Sequence, residues 1–228
     1  MSEGSIFNNY LRKKNNIILN RNILQNTYVP SQLLHREKQI DDIVSIIAPS
    51  LNKDKPSNVL IIGKTGTGKT AVVKYLGDEL KKADGDNNNC DFIYINCETV
   101  DTPYSILYNI SNHLITDPNG GIPFTGWSLE RAFNTLISLI DGKDKVFIIV
   151  LDEIDQSYTR NGDDIFYFLT TINEMLSRSR VSIIGITNNS KFNETLSPKI
   201  RSRLGEEKII FSPYNSSELC DILRQRAA

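Results

Sequence analysis

At 228 residues the chain is long for one ordinary domain and short for two. With 39% hydrophobic and 23% charged residues it has the composition of a globular protein, and no apolar run approaches the roughly 20 residues of a membrane span. A formal net charge of −1 gives no global pull toward nucleic acid, so any DNA binding must come from a local patch.

In chain order, residues 1–24 form an Asn-rich, mildly basic extension that lacks the apolar core of a signal peptide. From Arg36 to about Leu51, Ile40, Ile43, Ile46 and Ile47 recur at helical spacing after a turn at Pro30–Ser31. Asn58–Ile62 reads as a buried strand, Lys69–Lys82 as a helix and Phe92–Asn96 as a second strand, with the polar turn ADGDNNNCD between them. Ser105–Ile115 and Leu129–Ile140 are predicted helices on either side of the Pro/Gly-rich DPNGGIPFTGWS. Val146–Leu151 is a wholly apolar strand running into DEID. Asp164–Leu176 is predicted helical, Val181–Ile186 and Lys208–Phe211 are strands, and Asn215–Arg226 begins a helix with Asn215 as cap and Glu218 as capping partner. Apolar strands alternating with helices mean an α/β fold, a parallel sheet covered on both faces. Cys90, Cys97 and Cys220 have no metal-ligand spacing and read as small buried thiols in a reducing compartment.

Gly63-Lys64-Thr65-Gly66-Thr67-Gly68-Lys69-Thr70 fits the phosphate-loop pattern G-x4-G-K-[ST], between a strand and a helix as the mechanism requires. Gly63, Gly66 and Gly68 let the backbone take positive φ and turn its N–H groups onto an anion. The next helix aims its N-terminal donors, including those of Ala71 and Val72, at the same place. Lys69 supplies a point charge for the β- and γ-phosphates, and the Thr70 hydroxyl can ligate Mg²⁺. Such a loop holds a nucleoside triphosphate.

The apolar run Ile148–Leu151 ends in Asp152-Glu153. Paired acids at a strand end place one toward Mg²⁺, here Asp152, and one toward the attacking water, here Glu153. The second acid separates a hydrolase from a nucleotide kinase. Asp155 and Glu174 lack this placement and read as surface residues. A third strand ends in Ile186-Thr187-Asn188, where an amide can bond the γ-phosphate or the lytic water; alternatively Thr187–Ser190 is a plain turn.

The order of phosphate loop, LDEID, GITNN and SPKIRSRLGEEKIIFSPYNSSEL resembles the AAA+ ATPases, and more narrowly the archaeal replication initiators related to the origin recognition complex and its helicase loader. The lead-in YVPSQLLHREKQIDDI, with DTPYSIL, PFTGWS and IIFSPYN, fits that group, over about residues 25 to 228. The resemblance implies a base domain over 25–213 with an initiator-type helical insertion at 101–128, and the start of a helical lid at 214–228. It implies that Tyr28, Val29 and Pro30, with His35 and Arg36, wrap the adenine base, and that Asn188 is the sensor amide. Tyr214 and Arg226 then lie near the nucleotide, although Arg226 alone would read as a solvated helix-end cation. Arg203 matches the arginine that reaches a neighbouring subunit's triphosphate, with Arg201 its rival.

In that family the insertion touches DNA. Here Asp101–Glu130 contains no Lys or Arg, so contact has to come from Phe124, Thr125, Trp127 and Ser128 and be weak; alternatively Phe124 and Trp127 pack the insertion onto the sheet. The family continues into a full lid and a winged-helix domain, so a chain ending at Ala228 is expected to be a truncated form. The implied function is an archaeal, cytoplasmic and nucleoid-associated initiator that binds ATP/ADP with Mg²⁺, hydrolyses slowly, marks origin DNA beside other initiator subunits and helps load the replicative helicase. The alternatives are a clamp-loader-like or transposon-targeting ATPase and a nucleotide-dependent adaptor without turnover.

Overall fold

The computed structural model describes residue 30, residues 32–115 and residues 120–227. Helix α1 (Glu37–Ile47) and a 3-10 turn (Ala48–Asn52) lead to β1 (Val59–Gly63), α2 (Lys69–Asp84) and β2 (Cys90–Asn96). The chain continues through α3 (Pro103–Leu114), α4 (Leu129–Asp141), β3 (Val146–Asp152), α5 (Ile154–Asn161) and α6 (Asp164–Thr171). It ends with β4 (Arg180–Thr187), the short helices α7 (Phe192–Thr195) and α8 (Pro198–Leu204), β5 (Glu207–Phe211) and α9 (Ser216–Ala227). Among the described residues no helix is long and apolar enough to cross a membrane.

The strands form one five-stranded sheet, all parallel, in the order β2-β3-β4-β1-β5. Strand β3 shows why sequence runs of this kind demand two covered faces, since every one of its residues is buried. Side chains alternate across a strand: Val146, Ile148 and Val150 join the core beneath α1 and α2, while Phe147, Ile149 and Leu151 join the core beneath α3 to α6. Each such fully buried side chain contributes roughly 1.5–3 kcal/mol of apolar burial.

The register lines up the carboxyl ends. Asn96 pairs with Asp152, Leu151 with Gly185, Ile62 with Thr187 and Gly63 with Phe211. The phosphate loop, the paired acids and the Thr187-Asn188 exit therefore emerge on one rim, where open α/β sheets bind ligands.

Predicted strands and helices are found within two residues at most ends, and the Asn215–Glu218 capping pair is present, with Glu218 N–H donating to Asn215 Oδ1 at 2.9 Å and Asn215 N–H to Glu218 Oε2 at 2.8 Å. Helix α5 and the short α7 and α8 were not expected. The polar IDQSYTRN has only two buried residues, too few for an apolar period to show. The predicted Asp164–Leu176 helix gives way to a 3-10 turn at Ile172–Glu174. Cys90 and Cys97 are buried, and burial pushes their thiols up to about 11 and about 12. Cys220 is exposed, contrary to expectation, because no residue of α9 is buried.

Candidate nucleotide site

The phosphate loop is built by close approach and by left-handed backbone. At Gly68, φ is +89° and an added Cβ would sit 2.8 Å from the Tyr214 hydroxyl. Gly66 is also left-handed. Gly63, expected at positive φ, is not; glycine is required there because a Cβ would lie 2.6 Å from the Phe211 carbonyl of the neighbouring strand. Thr67 is buried and its hydroxyl closes the loop on the Lys64 carbonyl at 2.8 Å, whereas Thr65 is exposed at the tip. Ala71 is half-buried on the first turn of α2, and Val72 is buried in the core with its N–H bonded to Gly68 O.

Lys69 directs its ammonium to Gly63 O (2.7 Å), Lys64 O (3.0 Å) and Asn188 Oδ1 (2.7 Å). Burial lowers its pKa, opposed by the acids Asp152, Glu153 and Asp155. Beside it, Thr70 Oγ1 donates to Asp152 Oδ2 at 2.7 Å, and Asp152 is 4% exposed. A hydroxyl and a carboxylate, both hard oxygen donors, suit Mg²⁺, which takes one or two protein ligands and completes its shell from phosphates and water. Among the described residues there is no group of three or more His, Cys, Asp and Glu that could hold a metal ion.

Glu153 follows in left-handed backbone at φ +54° at the N-cap position of α5, where its side chain makes no capping hydrogen bond. For a non-glycine residue this conformation costs about 1 kcal/mol, and it turns the second acid out of the strand line. Burial first, then the negative neighbours Glu98, Asp152 and Asp155, raises its carboxyl pKa. Asn188 Nδ2 lies 3.5 Å from Glu153 Oε1, so one amide touches both the loop lysine and the second acid. Asp155, read as surface, instead accepts from Thr187 Oγ1 at 2.7 Å and ties α5 to the end of β4. A residue three positions past a strand end gives no pattern from which that bond could be foreseen.

Arg36 is buried. Its Nε donates to Thr67 O (2.9 Å), its Nη2 to Ser212 O (2.7 Å), and its guanidinium stacks 3.8 Å over the Tyr214 ring. It thus braces the loop and the aromatic wall together. His35 is left-handed (φ +61°) and its Nε2 lies 3.2 Å from Asp221 Oδ2 on α9. Pro30, Gly66, Gly68, Ala71, Tyr214 and Arg226 line a cavity of about 320 Å³ with Leu219, Ile222 and Leu223 of α9, a largely apolar slot beside the phosphate loop. Tyr28 and Val29 lie outside the described residues.

Arg201 and Arg203 diverge. Arg201 Nη2 turns inward onto the carbonyls of Glu194 and Leu196 (2.7 and 3.0 Å), whereas Arg203 Nη1 pairs with the exposed Glu174 at 2.8 Å. In the insertion the two aromatics also separate: Trp127 packs on the core with Arg131 stacked 4.0 Å over it, while Phe124 is 73% exposed and meets Tyr108 in a T-shaped pair. Thr125 is exposed, and Ser128 caps α4 by accepting from Arg131 N–H at 3.2 Å.

Tyr94, like Asp155, joins the site without having been singled out for it in the sequence. Tyr94 donates its hydroxyl to Asp152 Oδ2 at 2.6 Å, and burial and that carboxylate hold the phenol proton on by raising its pKa. The signal was its place two residues before the end of the strand beside β3.

Sheet order, loop and paired acids together define a phosphate-loop nucleotide-binding protein of the α/β class. A family model described as AAA ATPase domain matches residues 32–184, and the chain belongs to that family. It is 46% identical over 224 residues to the ORC1-type DNA replication protein of Thermococcus onnurineus and 46% identical over 225 residues to that of Thermococcus kodakarensis, in each case across 98% of this chain and 54% of the relative. It is also similar to the Aeropyrum pernix ORC1 protein, solved in complex with DNA, at a TM-score of 0.84 and 38% identity over 92% of this chain and 53% of that one. The chain spans about half the length of the curated relatives it matches.

Proposed function

We propose that the chain is the ATP-binding and slowly hydrolysing part of a DNA replication initiator. The observation that carries this reading is the meeting, on one sheet rim, of Lys69 with Asn188 and of Thr70 with Asp152, both at 2.7 Å. The similarity to ORC1-type replication proteins supplies the biological setting.

Lys69 and the N-terminus of α2 bind the β- and γ-phosphates, exchanging loop carbonyls for phosphate oxygens. Thr70 and Asp152 hold Mg²⁺, which when bound neutralises charge on the phosphates. Glu153 takes a proton from the attacking water, beside the Asn188 amide that also meets Lys69. Asn188 touches both Lys69 and Glu153, so it contacts ATP and ADP differently and lets hydrolysis reset a two-state switch. Pro30, Tyr214 and Arg226 enclose the base. Arg203, the less anchored of the two arginines, acts on a neighbouring subunit's triphosphate once Glu174 releases it.

Origin DNA is touched weakly through Phe124, Thr125, Trp127 and Ser128, and other initiator subunits and the replicative helicase are the protein partners. Calorimetric titration with Mg²⁺–ATP tests the reading directly. Uptake that Lys69→Ala abolishes supports it; absence of uptake by the folded wild-type chain refutes it. Phosphate release at equal rates from wild type and Glu153→Gln would leave binding intact and remove the catalytic assignment.

A further inference from the structure

We infer that Tyr94 is a positioning residue for the magnesium-binding carboxylate, setting which oxygen of Asp152 is free to meet the cation. The inference rests on the proposed metal role of Thr70 and Asp152. A carboxylate has about four acceptor sites, two on each oxygen. On Oδ2 both are taken, one by Thr70 Oγ1 at 2.7 Å and one by the Tyr94 hydroxyl at 2.6 Å. Oδ1 accepts the Glu153 N–H at 2.9 Å and keeps one site. That remaining site is the one available to a magnesium-bound water.

The Thr70 hydroxyl has one proton to donate and lone pairs to spare, so it can hold Oδ2 and face the cation at once. Tyr94 has no such second duty. Its ring rises from β2, where Tyr94 pairs with Val150 and Asn96 pairs with Asp152, so the phenol reaches the carboxylate from the neighbouring strand. The Lys74 ammonium lies 4.4 Å over the ring. Lys74 stands one helical turn beyond Thr70 on α2, and the phenol is fixed between that helix and the sheet. Replacing the hydroxyl by hydrogen opens a second site on Oδ2. The carboxylate can then swing, and Glu153, whose N–H is bonded to it, loses part of its own anchorage.

The test is the magnesium dependence of nucleotide binding by Tyr94→Phe, which keeps the ring and its contact with Lys74. Calorimetric ATP titrations across a magnesium series should show half-saturation displaced upward about 10-fold, the lower range for loss of a ligand's hydrogen-bonding partner. Affinity for ATP in excess chelator should stay within about 2-fold, and binding of Mn²⁺ followed by electron paramagnetic resonance should weaken in parallel. Tyr94→His restores a donor and should recover part of the loss. A half-saturation unchanged in Tyr94→Phe, or an equal fall in chelator and in magnesium, overturns the inference. Asp152→Asn separates the two levels: if it shifts the magnesium dependence and Tyr94→Phe does not, only the role of Tyr94 falls. If neither shifts it, the metal reading falls and takes Tyr94 with it. Should the Phe variant lose its fold, Tyr94→His against wild type in the same series decides: a partial upward displacement of the magnesium half-saturation, with affinity in chelator kept, supports the inference, and a magnesium curve identical to wild type overturns it.

Discussion

The rim of the sheet and the insertion between α3 and α4 obey opposite rules. At the rim, Lys69, Thr70, Asp152, Glu153 and Asn188 are each held by a named partner, and every one sits at the end of a regular element. In the insertion, Phe124 stands 73% exposed, Trp127 leans on the core, and no Lys or Arg lies between Asp101 and Glu130. A site made of strand ends inherits its geometry from the sheet. A site made of a loop inherits it from whichever side chains happen to pack.

The contrast breaks most sharply at Lys69. Lys69→Ala should weaken Mg²⁺–ATP binding at least about 100-fold, the equivalent of losing charge-assisted hydrogen bonds worth roughly 3 kcal/mol; calorimetry reads this. Glu153→Gln should lower phosphate release about 100-fold or more while ATP affinity is kept. The sign of its effect on stability follows from the raised pKa. The ionised form is disfavoured in the fold, so this destabilisation is fully present above the folded pKa and vanishes as pH falls below the unfolded value. Glu153→Gln should therefore melt no lower than wild type at neutral pH, and wild-type hydrolysis should fall on acidification as Glu153 takes up a proton.

Gly68→Ala should cost about 1–2 kcal/mol of stability in a denaturant titration, from left-handed backbone and the clash with Tyr214. The smallest effects belong to the insertion. Phe124→Ala should leave stability within about 0.5 kcal/mol and Trp127→Ala should lower it by more, since only the tryptophan packs on the core. If Phe124 meets DNA, its loss should reduce affinity without altering the slope against salt concentration, because no phosphate charge is neutralised.

How far the sequence could be read follows the same division. The strands were legible because β1, β3 and β4 are apolar runs, and the loop because its glycines and Lys69-Thr70 stand at fixed spacing between a strand and a helix. Asp152 and Asn188 were legible from their position at strand ends. Tyr94, Asp155 and the brace role of Arg36 were not, since each acts through partners 31 to 178 residues away along the chain. Helix α5 escaped because its eight residues are mostly polar.

The brace has a mechanical meaning. One guanidinium grips the loop at Thr67, the chain leaving β5 at Ser212 and the face of Tyr214, which in turn starts the path into α9. Any shift of the loop by a fraction of an ångström is thereby handed to the aromatic wall of the slot, so loop and wall move as a single lever rather than as separate hands.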